Sequence, residues 1–284
     1  MSIIATLDEL QMRVAQQGAL SDAFRQIAHY IANHLRNVSL MSAVELAEAC
    51  EVSQSTVSRF CMGLGFAGFA DFVRALQDLV REEWKAPDRT RYLHRATTAV
   101  EDPLLAEEMA NLSQLPALYD SPEGRAMIPF VLRPQRLILA GARASATLIP
   151  YAAYFLSKIR DGVECAMPET PGWTALASHV QPNTAVLAFI FPRYASVLLD
   201  WLHDVAQWAT PIAAITDRPQ SPVESLAHPV AVVPVARASL FDSYAAVMVF
   251  MNYLIREAAA ASPNIETRLH ALEDYETRRG VYRP

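Results

Sequence analysis

The sequence predicts an all-α head followed by a doubly wound α/β domain built on a parallel sheet, on three observations. Apolar residues recur at helical spacing through the first 85 residues, with no alternating β-pattern among them. A polar, basic, proline-containing stretch from Trp84 to Arg95 (WKAPDRTRYLHR) breaks that pattern. From about Pro134, short apolar β-type runs alternate with helical segments, as strands buried on both faces do.

Leu7, Leu10 and Val14 open a short amphipathic helix. Leu20, Phe24, Ile27, Ala28, Ile31 and Leu35 recur at helical spacing around Ser21, whose hydroxyl suits an N-cap. Ala43–Cys50, Ser53–Leu64 and Phe69–Leu79 read as three further helices. A helical bridge at roughly Asp102–Leu115 leads to strands at Arg136–Ala140, Thr184–Ile190, Ile212–Ile215 and Val230–Val235. Helices are expected at about Ala144–Lys158, Ala195–Trp208 and Ser239–Ala258, with a charged amphipathic helix from Pro263 to Arg279. The expected organisation is a head at 1–83, a linker at 84–104 and an α/β domain at 105–284.

Composition narrows the class. At 52% hydrophobic and 19% charged, the 284 residues are not those of a disordered chain. Three scattered cysteines (Cys50, Cys61, Cys165) argue against a disulfide framework or a zinc site, and no stretch resembles a secretory signal, so a cytoplasmic protein is expected. No apolar run reaches the roughly 18 residues of a membrane span; Tyr244–Ile255, interrupted by Asn252, reads as a buried helix. Net charge is −6, but residues 1–100 hold 10 basic and 11 acidic residues, so the acidity lies mainly behind the head. A near-neutral head binds DNA with modest phosphate-driven affinity, and dimerisation must supply the remainder.

The informative run is Ser42 to Phe60 (SAVELAEACEVSQSTVSRF). Two helices crossing steeply across a very short turn require a small residue where they meet, and Ala47 supplies it. Leu46, Val52 and Val57 provide apolar contacts, Ser53 can cap the second helix, and Gly65 can stop it. The start of that helix then carries Ser53, Gln54, Ser55, Thr56, Ser58 and Arg59, short hydrogen-bonding side chains plus a cation, suited to base edges and phosphates in a major groove. An ordinary helical hairpin with a serine-rich surface is the bland reading of the same spacing.

The whole segment resembles the helix-turn-helix domain of the RpiR family of bacterial regulators. The resemblance rests on Ile27-Ala28-x-x-Ile31, Leu46-Ala47, Val52-Ser53, Thr56-Val57-x-Arg59-Phe60, Leu64-Gly65-Phe66 and Gly68-Phe69. One position departs: the turn residue that often is Gly is Glu51 here, at a cost of about 1–2 kcal/mol if it must be left-handed. The resemblance implies that the second domain is a sugar isomerase (SIS) module, which binds phosphorylated sugars. The fold class expected is therefore an all-α helix-turn-helix head followed by an α/β doubly wound parallel-sheet, SIS-like domain for effector binding and dimerisation.

Two loops carry the expected effector site. Gly141-Ala142-Arg143-Ala144-Ser145-Ala146 follows the first strand and looks like the family's Gly-x-x-x-Ser turn. Phe191-Pro192-Arg193-Tyr194-Ala195-Ser196 follows the second main strand, where sugar-phosphate binders of this fold present several hydroxyls and a Gly; Ser196 is the only such hydroxyl here. Arg143 and Arg193 can replace hydroxyls by charge, since Arg pairs bidentately with phosphate or carboxylate. Taken singly, each arginine also reads as a surface or ion-paired residue. The effector candidates are thus Gly141, Arg143, Ser145, Arg193, Tyr194 and Ser196.

An SIS-fold isomerase is the competing enzyme class, and it needs a positioned base. The seven histidines form no cluster by spacing, no catalytic fingerprint is present, and Glu164 and Glu169 read as solvated loop carboxylates. No catalytic residue, cofactor or metal is expected. A third class is a ligand-free dimerisation module, whose mark is a crevice filled by side chains such as Tyr194. The favoured expectation is a non-enzymatic regulator with three kinds of partner: double-stranded operator DNA, a small anionic metabolite (a sugar phosphate or sugar acid), and further copies of itself in a homodimer or dimer of dimers, with no membrane.

Overall fold

The computed structural model describes residues 7–18, 21–80, 103–168, 170–179, 182–237 and 239–282. The chain divides into two compact units, Met1–Asp102 with Ser239–Phe241, and Pro103–Ala238 with Asp242–Pro284. Most of the linker expected at 84–104, all of it up to residue 102, lies outside the described residues.

The first unit holds helices α1 (Leu7–Gly18), α2 (Asp22–Val38), α3 (Ala43–Ala49), α4 (Gln54–Gly63) and α5 (Phe69–Val80). Each contributes a buried stripe to one core: Leu10 and Val14, Ile27 and Ile31, Leu46 and Ala47, Val57 and Phe60, Phe72 and Leu76. Phe60 is fully buried and meets Phe24 edge to face, ring centres 5.2 Å apart. Burial pushes the Cys61 thiol up to about 12, which makes it an inert packing residue.

Serines set three of the helix starts. Ser21 Oγ accepts from the Phe24 amide, Ser42 and Glu45 form a reciprocal capping box, and Ser53 Oγ accepts from the Thr56 amide. Helix α4 ends on Gly65, at φ +96°, with the Gly65 and Phe66 amides turned back onto the Met62 and Cys61 carbonyls at 2.9 and 3.2 Å.

The turn between α3 and α4 is closed by the Val52 amide on the Ala47 carbonyl at 2.9 Å, and it places Glu51 at φ +52°. A side chain in that conformation costs roughly 1–2 kcal/mol. Glycine removes the strain, offset in part by the roughly 0.4–1 kcal/mol that its freedom adds to the unfolded chain. Glu51→Gly is therefore expected to stabilise the head by about 1 kcal/mol. The check is a urea titration followed by far-ultraviolet dichroism, in which the midpoint should rise at constant slope; a lower midpoint would show that Glu51 makes a stabilising contact.

The second unit is a five-stranded, all-parallel sheet in the order β2-β1-β3-β4-β5, with β1 at Arg136–Gly141, β2 at Val163–Ala166, β3 at Thr184–Phe189, β4 at Ile212–Thr216 and β5 at Val230–Val232. Its helices are α6 (Pro103–Asp120), α7 (Pro122–Leu132), α8 (Ile149–Ile159), α9 (Pro171–Ser178), α10 (Ser196–Gln207), α11 (Ala245–Ala261) and α12 (Ile265–Arg279). A 3-10 turn at Arg143–Leu148 precedes α8. Alternate strand residues face opposite layers. Leu137, Leu139, Leu187, Phe189 and Ile215 pack with buried residues of α7, α8 and α11, while Ile138, Ala140, Val186, Ala188 and Ala214 pack with those of α9 and α10. Helices cover both faces, which is why the strands read as unbroken apolar runs.

Differences from expectation have local causes. Strand β2 has four residues, of which Glu164 and Cys165 are exposed, so it shows neither alternation nor an apolar run. Helix α7 carries Pro129 in its interior, and α9 has only eight residues, the first of them Pro171. Strand β5 stops at Val232, short of the expected Val235; Pro234, which has no amide to donate, lies just beyond. Glu164 is an exposed surface carboxylate as expected, but it lies on a strand and not in a loop. It stands on β2 and accepts from Arg136 Nε and Nη2 at 2.8 Å each, and that pairing holds its carboxyl below the ordinary 4.5. Glu169 lies outside the described residues. The Tyr244–Ile255 stretch is mostly α11, with Val247, Phe250, Met251 and Leu254 buried, and no helix among the described residues is long and apolar enough to cross a membrane.

Candidate functional site

In the first unit the candidate DNA-reading residues cluster on the N-terminal turns of α4. Gln54, Ser55 and Arg59 are exposed, Ser58 is half-buried, and Ser53 is the exposed N-cap. Thr56 is different, with only 9% of its surface exposed. Its hydroxyl lies 2.7 Å from that of Ser53 and accepts from Arg59 Nη2 at 3.3 Å. Ser53 also meets the Ser55 hydroxyl at 2.8 Å. Ser53 and Thr56 thus form a hydroxyl platform that holds Arg59, while Gln54, Ser55 and Arg59 form the outward face. An amide and a guanidinium can each read a base edge bidentately, and the helix N-terminus favours phosphate.

In the second unit the sheet order reverses direction between β1 and β3, so the crevice beyond their carboxyl ends is the topological switch point where ligands of such sheets bind. Gly141 pairs with Phe189 across β1 and β3, so both candidate loops leave from neighbouring strand ends. A Cβ on Gly141 would lie 3.2 Å from Ile149 Cδ1 and 3.3 Å from the Ser145 carbonyl, so glycine lets the following turn close over the strand end. Ser145 is buried and donates to the Ala142 carbonyl at 2.9 Å, which assigns its hydroxyl to closing that turn.

Arg143 and Arg193 share two properties. Both are left-handed, at φ +58° and +69°, a conformation side-chain-bearing residues avoid and one that concentrates at functional sites. Both are exposed, and neither guanidinium has a hydrogen-bond or ion-pair partner among the described residues. Ser196, also exposed, is the first residue of α10, whose N-cap Ala195 makes no side-chain cap bond. The Ser196 and Val197 amides at that helix start are donors suited to an anion.

Tyr194 serves a neighbouring network. Its hydroxyl donates to Asp217 Oδ1 at 2.7 Å and accepts from Arg218 Nε at 3.0 Å. Asp217, directly after β4, is buried and paired with Arg237 at 2.6 Å. The Arg237 amide donates to Glu107 Oε2 at 3.0 Å. Asp217, Arg218, Arg237 and Glu107 were missed by sequence reasoning, although the first two directly follow an apolar strand run, the position where crevice residues of this fold lie. Among the described residues no three His, Cys, Asp or Glu side chains converge as a metal site would require.

Comparison with known proteins agrees with this architecture. Residues 6–82 match the helix-turn-helix domain of the rpiR family, and residues 132–257 match the SIS domain. The sugar isomerase domain of an RpiR transcription factor from Sphaerobacter thermophilus superposes with a TM-score of 0.56 at 20% identity, covering 61% of this chain and 96% of that one. The Vibrio vulnificus NanR protein complexed with ManNAc-6P aligns over 94% of this chain and 98% of its own, at 17% identity and a TM-score of 0.46. A stretch of 54 residues, 19% of this chain, is 43% identical to the bifunctional protein glk of Paraburkholderia xenovorans (strain LB400), and the match spans 8% of that relative. The chain thus carries a helix-turn-helix domain of the rpiR family in its head and a SIS domain behind it.

Proposed function

We propose that the protein is a cytoplasmic, effector-gated transcriptional regulator rather than an enzyme. It acts as a homodimer or dimer of dimers that places paired α4 helices in successive major grooves of a palindromic operator. Ser53, Gln54, Ser55, Thr56, Ser58 and Arg59 form the reading element, with Thr56 positioning Arg59. A small anionic metabolite, a sugar phosphate or sugar acid, enters the crevice at the β1 and β3 ends, bound by Arg143, Arg193, Ser196 and the α10 amides. Gly141 and Ser145 shape that crevice and Tyr194 braces its wall. The effector shifts the protein between two arrangements by binding one of them more tightly.

The observation that carries this reading is the pair of exposed, left-handed arginines at the switch point, unpartnered among the described residues. Tyr194, bonded to Asp217 and Arg218, supports the wall of that crevice. The test is fluorescence anisotropy of the purified protein on DNA from its own promoter region, in a salt series, with sugar phosphates and sugar acids added. Sequence-selective binding that one metabolite class shifts is the expected result. Binding no tighter than to competitor DNA would overturn the regulator reading.

A further inference from the structure

We infer that a cavity at the amino end of the parallel sheet, the end away from the candidate crevice, is a second ligand site, and that it takes a flat apolar molecule bearing a single carboxylate. The inference is independent of the crevice reading above, because the two sites share no residue.

All strands of the sheet are parallel, so the segments that lead into them gather at one end. Pro134, Asn183, Pro211 and Pro229 stand just before β1, β3, β4 and β5. With Pro129 and Phe130 of α7 they line a cavity of about 730 Å³, which falls within the roughly 300–1,000 Å³ of small-molecule sites. Phe130 and Trp208 give it aromatic walls. The Trp208 indole is 38% exposed but held in place, since its Nε1 donates to the Ala177 carbonyl of α9 at 2.9 Å. With that nitrogen engaged, the indole offers a ligand only ring surface.

The charge of the lining has one sign. Arg133 and His228 belong to it, and no acidic residue among those described does. The Arg133 guanidinium and the His228 imidazole are both exposed, and neither has a partner among the described residues. Thr210 is only 8% exposed, yet its hydroxyl also has no hydrogen-bond partner among the described residues. A buried hydroxyl ordinarily finds one, so this one awaits a polar atom delivered into the cavity. Two of the turns that build the lining are strained: Asn183 and Ala209 both stand at φ +55°. Ala209 holds a Cβ in a conformation that favours glycine, and such strain concentrates at ligand sites. A carboxylate pairs bidentately with Arg133, and a flat apolar body lies against Trp208 and Phe130. A sugar fits this lining poorly, because most of its hydroxyls would face proline and aromatic carbon.

The experiment is calorimetric titration of the full chain with 2-naphthoate, its neutral amide 2-naphthamide and the cation 2-naphthylmethylammonium. The parent should bind 2-naphthoate once per chain, and the amide and the cation at least tenfold more weakly. Arg133→Gln, at an exposed position and so with the parent's melting point, should weaken 2-naphthoate at least tenfold and leave 2-naphthamide unchanged. Trp208→Ala should weaken both. The double variant Arg143→Ala, Arg193→Ala should bind 2-naphthoate as the parent does. Absence of 2-naphthoate binding by the parent at millimolar concentration overturns the inference. Equal affinity for acid and amide also overturns it, marking an apolar cavity without anion recognition, as does parent-like binding by both Arg133→Gln and Trp208→Ala. Loss of binding in the double variant would overturn it by placing the carboxylate at the strand carboxyl ends. Sedimentation gives the last arm: an oligomer that Arg133→Gln or Trp208→Ala dissociates, in a chain that binds no 2-naphthoate, would assign the cavity to a second copy instead.

Discussion

Replacing Arg143 and Arg193 together by alanine is expected to abolish the effector response while leaving operator binding intact. Each guanidinium can give charge-assisted hydrogen bonds worth roughly 1.5–3 kcal/mol to an anion, so the double loss should weaken effector binding by about 100-fold or more. Calorimetric titration of the effector and anisotropy on operator DNA separate the two functions. A double variant that still releases DNA at the parent's effector concentration would place the anion elsewhere. The backbone supplies an independent control. Because both residues are left-handed, the Arg143→Gly and Arg193→Gly variants should each gain about 1 kcal/mol of stability while losing the response. Gain of stability with loss of binding marks strain retained for function and excludes simple unfolding as the cause.

The other large effect lies at the crossing of α3 and α4. Ala47 is only 5% exposed, and its carbonyl anchors the Val52 amide of the turn. Ala47→Leu adds three carbons to a closed contact, for which overpacking costs about 1–3 kcal/mol, and it displaces the very turn that sets the angle of α4. Operator binding should be lost altogether, while the α/β unit still binds effector. Arg59→Ala offers the contrast. The head should keep its thermal midpoint, operator affinity should fall about tenfold, and if the contact is to phosphate the slope of log affinity against log salt should shrink by roughly 0.9. Anisotropy in a salt series with a parallel dichroism melt reads all of these. Unchanged affinity for Arg59→Ala at moderate salt would move the reading face away from the start of α4.

Much of the head was legible because its information is local. Ser21, Ser42 and Ser53 precede apolar helical runs, and a hydroxyl three residues before an orphan amide is a cap wherever the chain goes next. Gly65 stops α4 for the same kind of reason, and the left-handed turn at Glu51 follows from the shortness of the link between two helices. Even so, the sequence listed Thr56 among the outward-facing residues. Only packing shows that it is buried and turned back onto Ser53 and Arg59.

In the α/β unit the four strongly apolar strands announced a parallel sheet, and the strand-end rule pointed at Gly141–Ser145 and Phe191–Ser196. Strand β2 gave no such signal, since at the sheet edge two of its four residues face solvent. Without it, Glu164 had no visible partner; the 28 positions separating it from Arg136 are closed only by strand pairing.

The sequence by itself determined the two-part plan, the helix-turn-helix pair, the parallel sheet and the two crevice loops, because each is written in spacings of three to eight residues. Tertiary structure alone decided which arginines at the strand ends are available. Arg237 is paired with Asp217 and Arg218 is tied to Tyr194, whereas Arg143 and Arg193 stand in left-handed turns without a partner among the described residues. It also decided that Glu108 and Asn111 are buried, with the Glu108 carboxylate oxygens and Asn111 Nδ2 lacking a hydrogen-bond partner among the described residues. The physical reason is common to both: whether a charge is satisfied depends on what distant segments bring beside it, and no pattern along the chain records that distance.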